Sequence, residues 1–162
     1  MFRFVSAHYA TGDDPERMGY SNSGTKKITG GSRTLMNTTT SLPSSVLAQR
    51  AAQICLEHKA NDVVILDLRG VSDMTDFFVI ASGTSDTHVR ALGEHVLEEL
   101  KRDGGGAVAH HVEGLTQGRW VLLDYVDFVV HLFHPTLRSF YQLERLWSDA
   151  ALIPVESQGA GA

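Results

Sequence analysis

The residues in this chain with most scope for chemistry are acids set among large apolar side chains. Asp124 and Asp127 interrupt the run Arg119-Trp120-Val121-Leu122-Leu123-Asp124-Tyr125-Val126-Asp127-Phe128-Val129-Val130-His131-Leu132-Phe133. An unpaired carboxylate is costly to bury, so these acids must be paired, turned to solvent or reserved for a partner. Together with Asp67, Asp73 and Asp76 they suggest a two-metal phosphoryl-transfer site. On an unbroken strand, however, residues three apart point to opposite sides, which separates Asp124 from Asp127. Alternation places Trp120, Leu122 and Asp124 on one face and Val121, Leu123 and Tyr125 on the other. The first face joins an aromatic, an aliphatic side chain and a carboxylate, the mixture that protein interfaces favour. The same pattern also fits a core Trp120 and an Asp124 that caps a turn.

Other chemistries lack their spacing. Ser82-Gly83-Thr84-Ser85 lies between a strand pattern and a helix pattern, where backbone N–H groups can hold an anion. It has neither the Gly-Lys-Ser/Thr of a Walker loop nor the three spaced glycines of a dinucleotide loop, and a tight turn with a Ser cap explains it. The glycines at 104–106 precede a strand rather than a helix. Eight histidines invite a metal, but no HExxH or paired Cys/His spacing is present, and a closed site would need ligands from several elements. No Gly-x-Ser-x-Gly elbow exists for a serine nucleophile. The one cysteine, Cys55, permits no internal disulfide and reads as a small buried thiol. These readings predict a protein that is no enzyme and carries no cofactor and no metal.

Charge narrows the partners. Residues 1–42 hold five Lys/Arg and three acids, so the overall −5 leaves about −7 on the remainder. Direct binders of nucleic acid show a basic patch; an acidic domain suits a basic protein surface. The length allows one domain with a real core. No apolar run approaches the roughly 18–20 residues of a membrane span, and the start lacks the apolar core of a secretory signal. A cytoplasmic setting fits.

The elements that would position these residues follow from period and punctuation. Residues 1–42, rich in Ser, Thr, Gly and Asn from about Met18, read as a disordered or non-native extension, with Met36 as a candidate natural start. A helix capped by Ser runs from 44–45 to His58. Strands are expected at Val63–Leu68 and Phe77–Ala81, with a turn or short helical segment at 71–76. Ser85 caps a second helix that ends at Lys101-Arg102 before the glycines. Strands then follow at Ala107–Val112, Arg119–Tyr125 and Asp127–Phe133, and a helix at Thr136–Trp147. The domain spans 43–151, and 152–162 form a flexible tail. The order implies a single α/β (α+β) domain with a mixed five-stranded sheet covered by helices.

Several stretches in consistent order resemble the ribosomal silencing factor family, the Iojap-like proteins. They are Lys59–Gly70, Met74–Gly83, Ser85–Leu92, Glu113–His131 and Phe140–Ala150, so the resemblance covers roughly residues 44–151. It implies a nucleotidyltransferase-like topology without the catalytic acids. It also implies binding to the large ribosomal subunit through ribosomal protein fourteen, which keeps the small subunit from joining, represses translation and in some members aids large-subunit maturation. Little direct RNA contact is expected, and a homodimer off the ribosome. The expected contacts are Trp120 as apolar anchor, Asp124 as acceptor for a Lys or Arg, Leu122 and Tyr125, with Asp73, Asp76, Glu113 and Arg119 flanking. The alternative is a nucleotide-binding or nucleotidyltransferase-related enzyme.

Overall fold

Helix α1 (Ser44–Glu57) opens the described part of the chain, and its end is built by backbone geometry. Lys59 takes φ +64, its N–H bonds the Leu56 carbonyl, and the Ala60 N–H reaches back to Cys55. That is a Schellman ending carried by lysine rather than glycine. At the other end Pro43 occupies the cap position and no side chain caps the helix, so the expected Ser cap is absent. Strands β1 (Asn61–Asp67) and β2 (Phe77–Ser82) follow, then helix α2 (Asp86–Asp103), where the Ser85 hydroxyl accepts from His88 N–H as expected. Strands β3 (His111–Glu113), β4 (Trp120–Asp124) and β5 (Phe128–Phe133) lead to two short helices, α3 (Pro135–Tyr141) and α4 (Leu143–Leu146), and strand β6 (Ala151–Ile153). The computed structural model describes residues 41–156, so the expectations for residues 1–40 and 157–162 lie outside the described residues.

The six strands form one mixed sheet in the order β3-β4-β5-β2-β1-β6. Only β2 and β5 are parallel; every other neighbouring pair is antiparallel. Alternation divides each strand between two layers. Phe77, Val79 and Ala81 of β2, Val121 and Leu123 of β4, and Phe128, Val130 and Leu132 of β5 join Ala51, Ile54, Val89, Leu92 and Val96 of α1 and α2 in one core. Phe78, Trp120, Leu122, His131 and Phe133 point to the opposite face and are also buried. There Tyr141 lies against Trp120, and Trp147 against Phe78. A sheet covered on both faces explains why β2 and β5 read as continuous apolar runs.

Three elements differ from the sequence reading. The mixed sheet has a sixth strand: Ala151–Ile153 pairs with β1, where a frayed tail was expected from 152. Three residues ahead of Pro154 are too few to show a period. Strand β3 is the short edge His111–Glu113 rather than Ala107–Val112, because Ala107 is held in a turn by the Gly104 carbonyl. The single helix expected over 136–147 breaks at Gln142, which takes φ +47. The break lets Tyr141 lie on Trp120 while Leu143 is buried.

Candidate functional site

One end of the sheet gathers the acids. Asp67 closes β1 opposite the first residue of β2, Phe77 in turn pairs with the first residue of β5, and Asp124 closes β4 opposite Val129 and His111. The loop from Leu68 to Asp76 lies at this same end, and its Asp76 N–H bonds the Asp127 carbonyl at 2.8 Å. Asp67, Asp73, Asp76, Asp124 and Asp127 therefore converge on one end of the sheet from two segments distant in sequence, 67–76 and 124–127. Arg69 is committed to Asp67, with Nη2–Oδ2 at 2.7 Å, and that pair holds the Asp67 carboxyl below the usual carboxylate range.

The β4–β5 connection shapes this end. Asp127 N–H bonds the Tyr125 carbonyl at 3.0 Å across Val126, whose φ is +73. This is a γ-turn of the strained kind, centred on a β-branched residue that rarely adopts such a φ. Three bonds hold it: the Asp124 carboxylate accepts from Val126 N–H at 2.8 Å, Tyr125 N–H bonds Phe128 O, and Asp76 N–H bonds Asp127 O. The turn leaves Val126 and Asp127 exposed at the tip. Strain kept by surrounding bonds marks positions where function is a reasonable hypothesis.

The structure disperses the residues picked from sequence. Asp73, Asp76 and Asp124 lie at the acidic end, with Asp73 exposed and the other two half-buried. Trp120 and Arg119 sit at the opposite end of β4, where Trp120 pairs with Phe133. Glu113 lies opposite Leu122, and its carboxylate holds His111 Nε2 at 2.9 Å. Trp120, expected as an exposed anchor, is 1 % exposed and Leu122 is 2 % exposed, so neither offers a contact surface. Trp120 instead stacks on Phe133, meets the tilted ring of Tyr141, and its Nε1 donates to His131 Nδ1 at 3.1 Å. Interior burial pushes His131 down to about 3, so it stays neutral. Tyr125 is a core residue too, stacked on Phe128, with its phenol pushed up to about 12 by desolvation. Alternation located the face correctly, but the helices that cover it follow later in the chain and cannot be read from the strand.

The exposed apolar residues of the covering helices were missed: Phe140 on α3 is 75 % exposed and Leu146 on α4 is 57 % exposed. A single regular helix would have placed both differently, and nothing in the sequence marks the break at Gln142. The Ser82 hydroxyl accepts from Arg138 and lines a cavity of about 690 Å³ with Asn61, Asp62, Gln142 and Arg145. Arg138 there is paired with Glu144, which leaves it poorly placed to hold an anion. Burial pushes the Cys55 thiol up to about 12, which makes it a weak nucleophile, as the sequence implied.

Residues 41–161 match the family described as "Ribosomal silencing factor during starvation". The chain belongs to this family. The relative named "Ribosomal silencing factor RsfS" in Bacillus subtilis (strain 168) is 40 % identical over 106 residues, which cover 65 % of this chain and 88 % of that protein. A more distant one, "Mitochondrial assembly of ribosomal large subunit protein 1" of Mus musculus, is 30 % identical over 93 residues, 57 % of this chain and 41 % of that protein. A solved structure of a protein from Chromobacterium violaceum superposes with a TM-score of 0.64 at 29 % identity, covering 74 % of this chain and 97 % of that one. The mixed α/β domain is thus shared with that solved structure.

Proposed function

We propose that this silencing-factor domain binds the large ribosomal subunit through ribosomal protein fourteen and stands where the small subunit would dock, so that translation is repressed by steric exclusion. The observation that carries the reading is the acidic end of the sheet. Four carboxylates, Asp73, Asp76, Asp124 and Asp127, surround a rigid exposed turn on a domain whose described residues hold nine Lys/Arg and sixteen acids. Such a surface is attracted to a basic ribosomal protein and repelled by bare RNA. The names of the relatives, silencing factor and large-subunit assembly protein, support a ribosomal partner. In this reading Asp73 and Asp127 meet cations directly, Asp124 and Asp76 hold the turn in shape, and Glu113 extends the acidic surface along β3, whereas Arg119, at the far end of β4, lies outside the contact. Trp120, Leu122 and Tyr125 act from within, by fixing the strand that carries Asp124. Exposed Phe140 and Leu146 supply apolar area, which also accounts for a homodimer when no ribosome is present. A role in large-subunit maturation and a cytoplasmic location follow from the same partner.

Charge reversal tests the surface. Asp73→Lys combined with Asp127→Lys alters only exposed side chains, so folding should be retained. Pelleting with purified large subunits should fall at least about tenfold in affinity, the equivalent of two charge contacts of roughly 0.7 kcal/mol each. Unchanged pelleting would remove the acidic end from the interface.

A further inference from the structure

We propose that His58, His95 and Glu99 form a Zn²⁺ site that clasps the end of α1 to the middle of α2. Among the described residues this is the trio whose ligand atoms come together, all within 4.8 Å of one another. The acids at the sheet end form no such trio among those residues. The ligands come from two elements. His95 and Glu99 stand four apart on α2, on one face of the helix. His58 is the C-cap residue of α1.

Glu99 is oriented by a bond that leaves one carboxylate oxygen for the histidines, and His58 is anchored through its backbone. Arg50 takes Oε2 of Glu99 at 3.2 Å and also holds Glu57, which leaves Oε1 for the histidines. That Oε1 lies 2.6 Å from His58 Nε2 and 3.8 Å from His95 Nδ1. The backbone of His58 is anchored as well. His88 accepts from Thr84 N–H at Nδ1, so its Nε2 carries the proton and donates to the His58 carbonyl at 2.8 Å. The two imidazole rings stack at 3.5 Å with 9° between their planes.

The geometry specifies what must change on binding. Carboxylate oxygen accepts and cannot donate, so the His58 Nε2–H donates to Glu99. Coordination at Nε2 needs the other tautomer, so the proton shifts from Nε2 to Nδ1 by exchange with solvent, and the ring stays a neutral ligand. Parallel rings aim their lone pairs alongside one another, so His95 tilts out of the stack to converge on the ion. Its side chain is 42 % exposed, which permits the rotation. Two imidazoles and one carboxylate, with a fourth position for water, make a ligand set that Zn²⁺ accepts at about 2.0–2.2 Å. Borderline imidazole nitrogen favours Zn²⁺ over Mg²⁺ or Ca²⁺, which prefer oxygen. A cation placed at the C-terminus of α1 also complements the helix dipole.

The test is titration of the untagged, chelator-stripped full chain with Zn²⁺ by calorimetry, with the melting temperature followed in parallel. One saturable ion per chain and a melting temperature that rises with Zn²⁺ are expected, because a ligand of the native state stabilises it. His95→Ala alters a side chain that is 42 % exposed and Glu99→Gln keeps the shape of a largely buried one, so both should fold; each should weaken binding by about 10–100-fold, at least the loss seen when an outer partner is removed. The control His110→Ala should bind as the parent does. No saturable binding, or binding that survives both His95→Ala and Glu99→Gln, would overturn the site.

Discussion

At the residue scale, the most informative group is His131, which lies 2 % exposed between Phe78, Phe133 and Trp120. Its Nδ1 accepts from the Trp120 indole, so the neutral form is built into the second layer of the core. The sign of its pH effect follows. In the unfolded chain His131 takes a proton near 6.5, whereas the folded chain resists until about 3. The unfolded state therefore binds more protons between those values. Stability from this residue is fully present above about pH 6.5 and is lost as pH falls toward 3, by at most roughly 1.4 kcal/mol per pH unit. His131→Gln should be less stable than the parent at neutral pH but should show a shallower loss between pH 6.5 and 4 in denaturant titrations. Equal slopes in both proteins would contradict the assignment. Trp120 was legible as important and illegible in role: strand alternation gave its face, but the burial comes from Tyr141 and Phe133, one from a later helix and one from the neighbouring strand. Asp124 went the other way, because its alternative role as the cap of a turn is what the structure shows.

At the scale of elements, most of the fold could be read from local chemistry. Ser85, Asp86, Lys101 and Arg102 bound α2 as capping and dipole rules require. The apolar runs of β2 and β5 declared two buried strands. What escaped was local geometry that the residue type argues against. Val126 in a γ-turn, Lys59 ending α1 and Gln142 splitting the last helix all take positive φ without glycine. Val126 and Gln142 are held by contacts that no window of sequence contains, from Asp76 and Trp120, and Lys59 by local backbone bonds that its residue type does not announce. Gly118 is the opposite case, with glycine where it is needed. It takes φ +66, and a β-carbon there would strike the Asp86 carbonyl and the Arg90 side chain of α2. Gly118→Ala should destabilise the domain by more than about 1 kcal/mol, since both the backbone and the packing oppose the methyl group. Thermal unfolding would show this as a fall in Tm of at least about 4 °C for a domain of this size. An unchanged Tm would mean that β4 and α2 pack less tightly at this point.

At the scale of the molecule, the two ends of the sheet have different characters. One collects carboxylates around a fixed turn. The other, where β2 and β5 end together, opens on a cavity lined by Arg145 and by Arg138, the latter paired with Glu144. Family membership was legible because it rests on the order of many short stretches, each unremarkable alone. The contact residues were less so, since a surface is assembled from distant segments: Asp73, Asp76 and Asp127 meet only once β2, β4 and β5 are side by side. The central claim is that the acidic domain occupies the large subunit and so excludes the small one. Its most direct measurement is sedimentation of the full chain with isolated large subunits, with isolated small subunits, and with both together. The account predicts co-sedimentation with the large subunit alone, weakened by added salt, and a smaller fraction of joined ribosomes in the mixture. Binding to small subunits, or full joining with the protein bound, would contradict it.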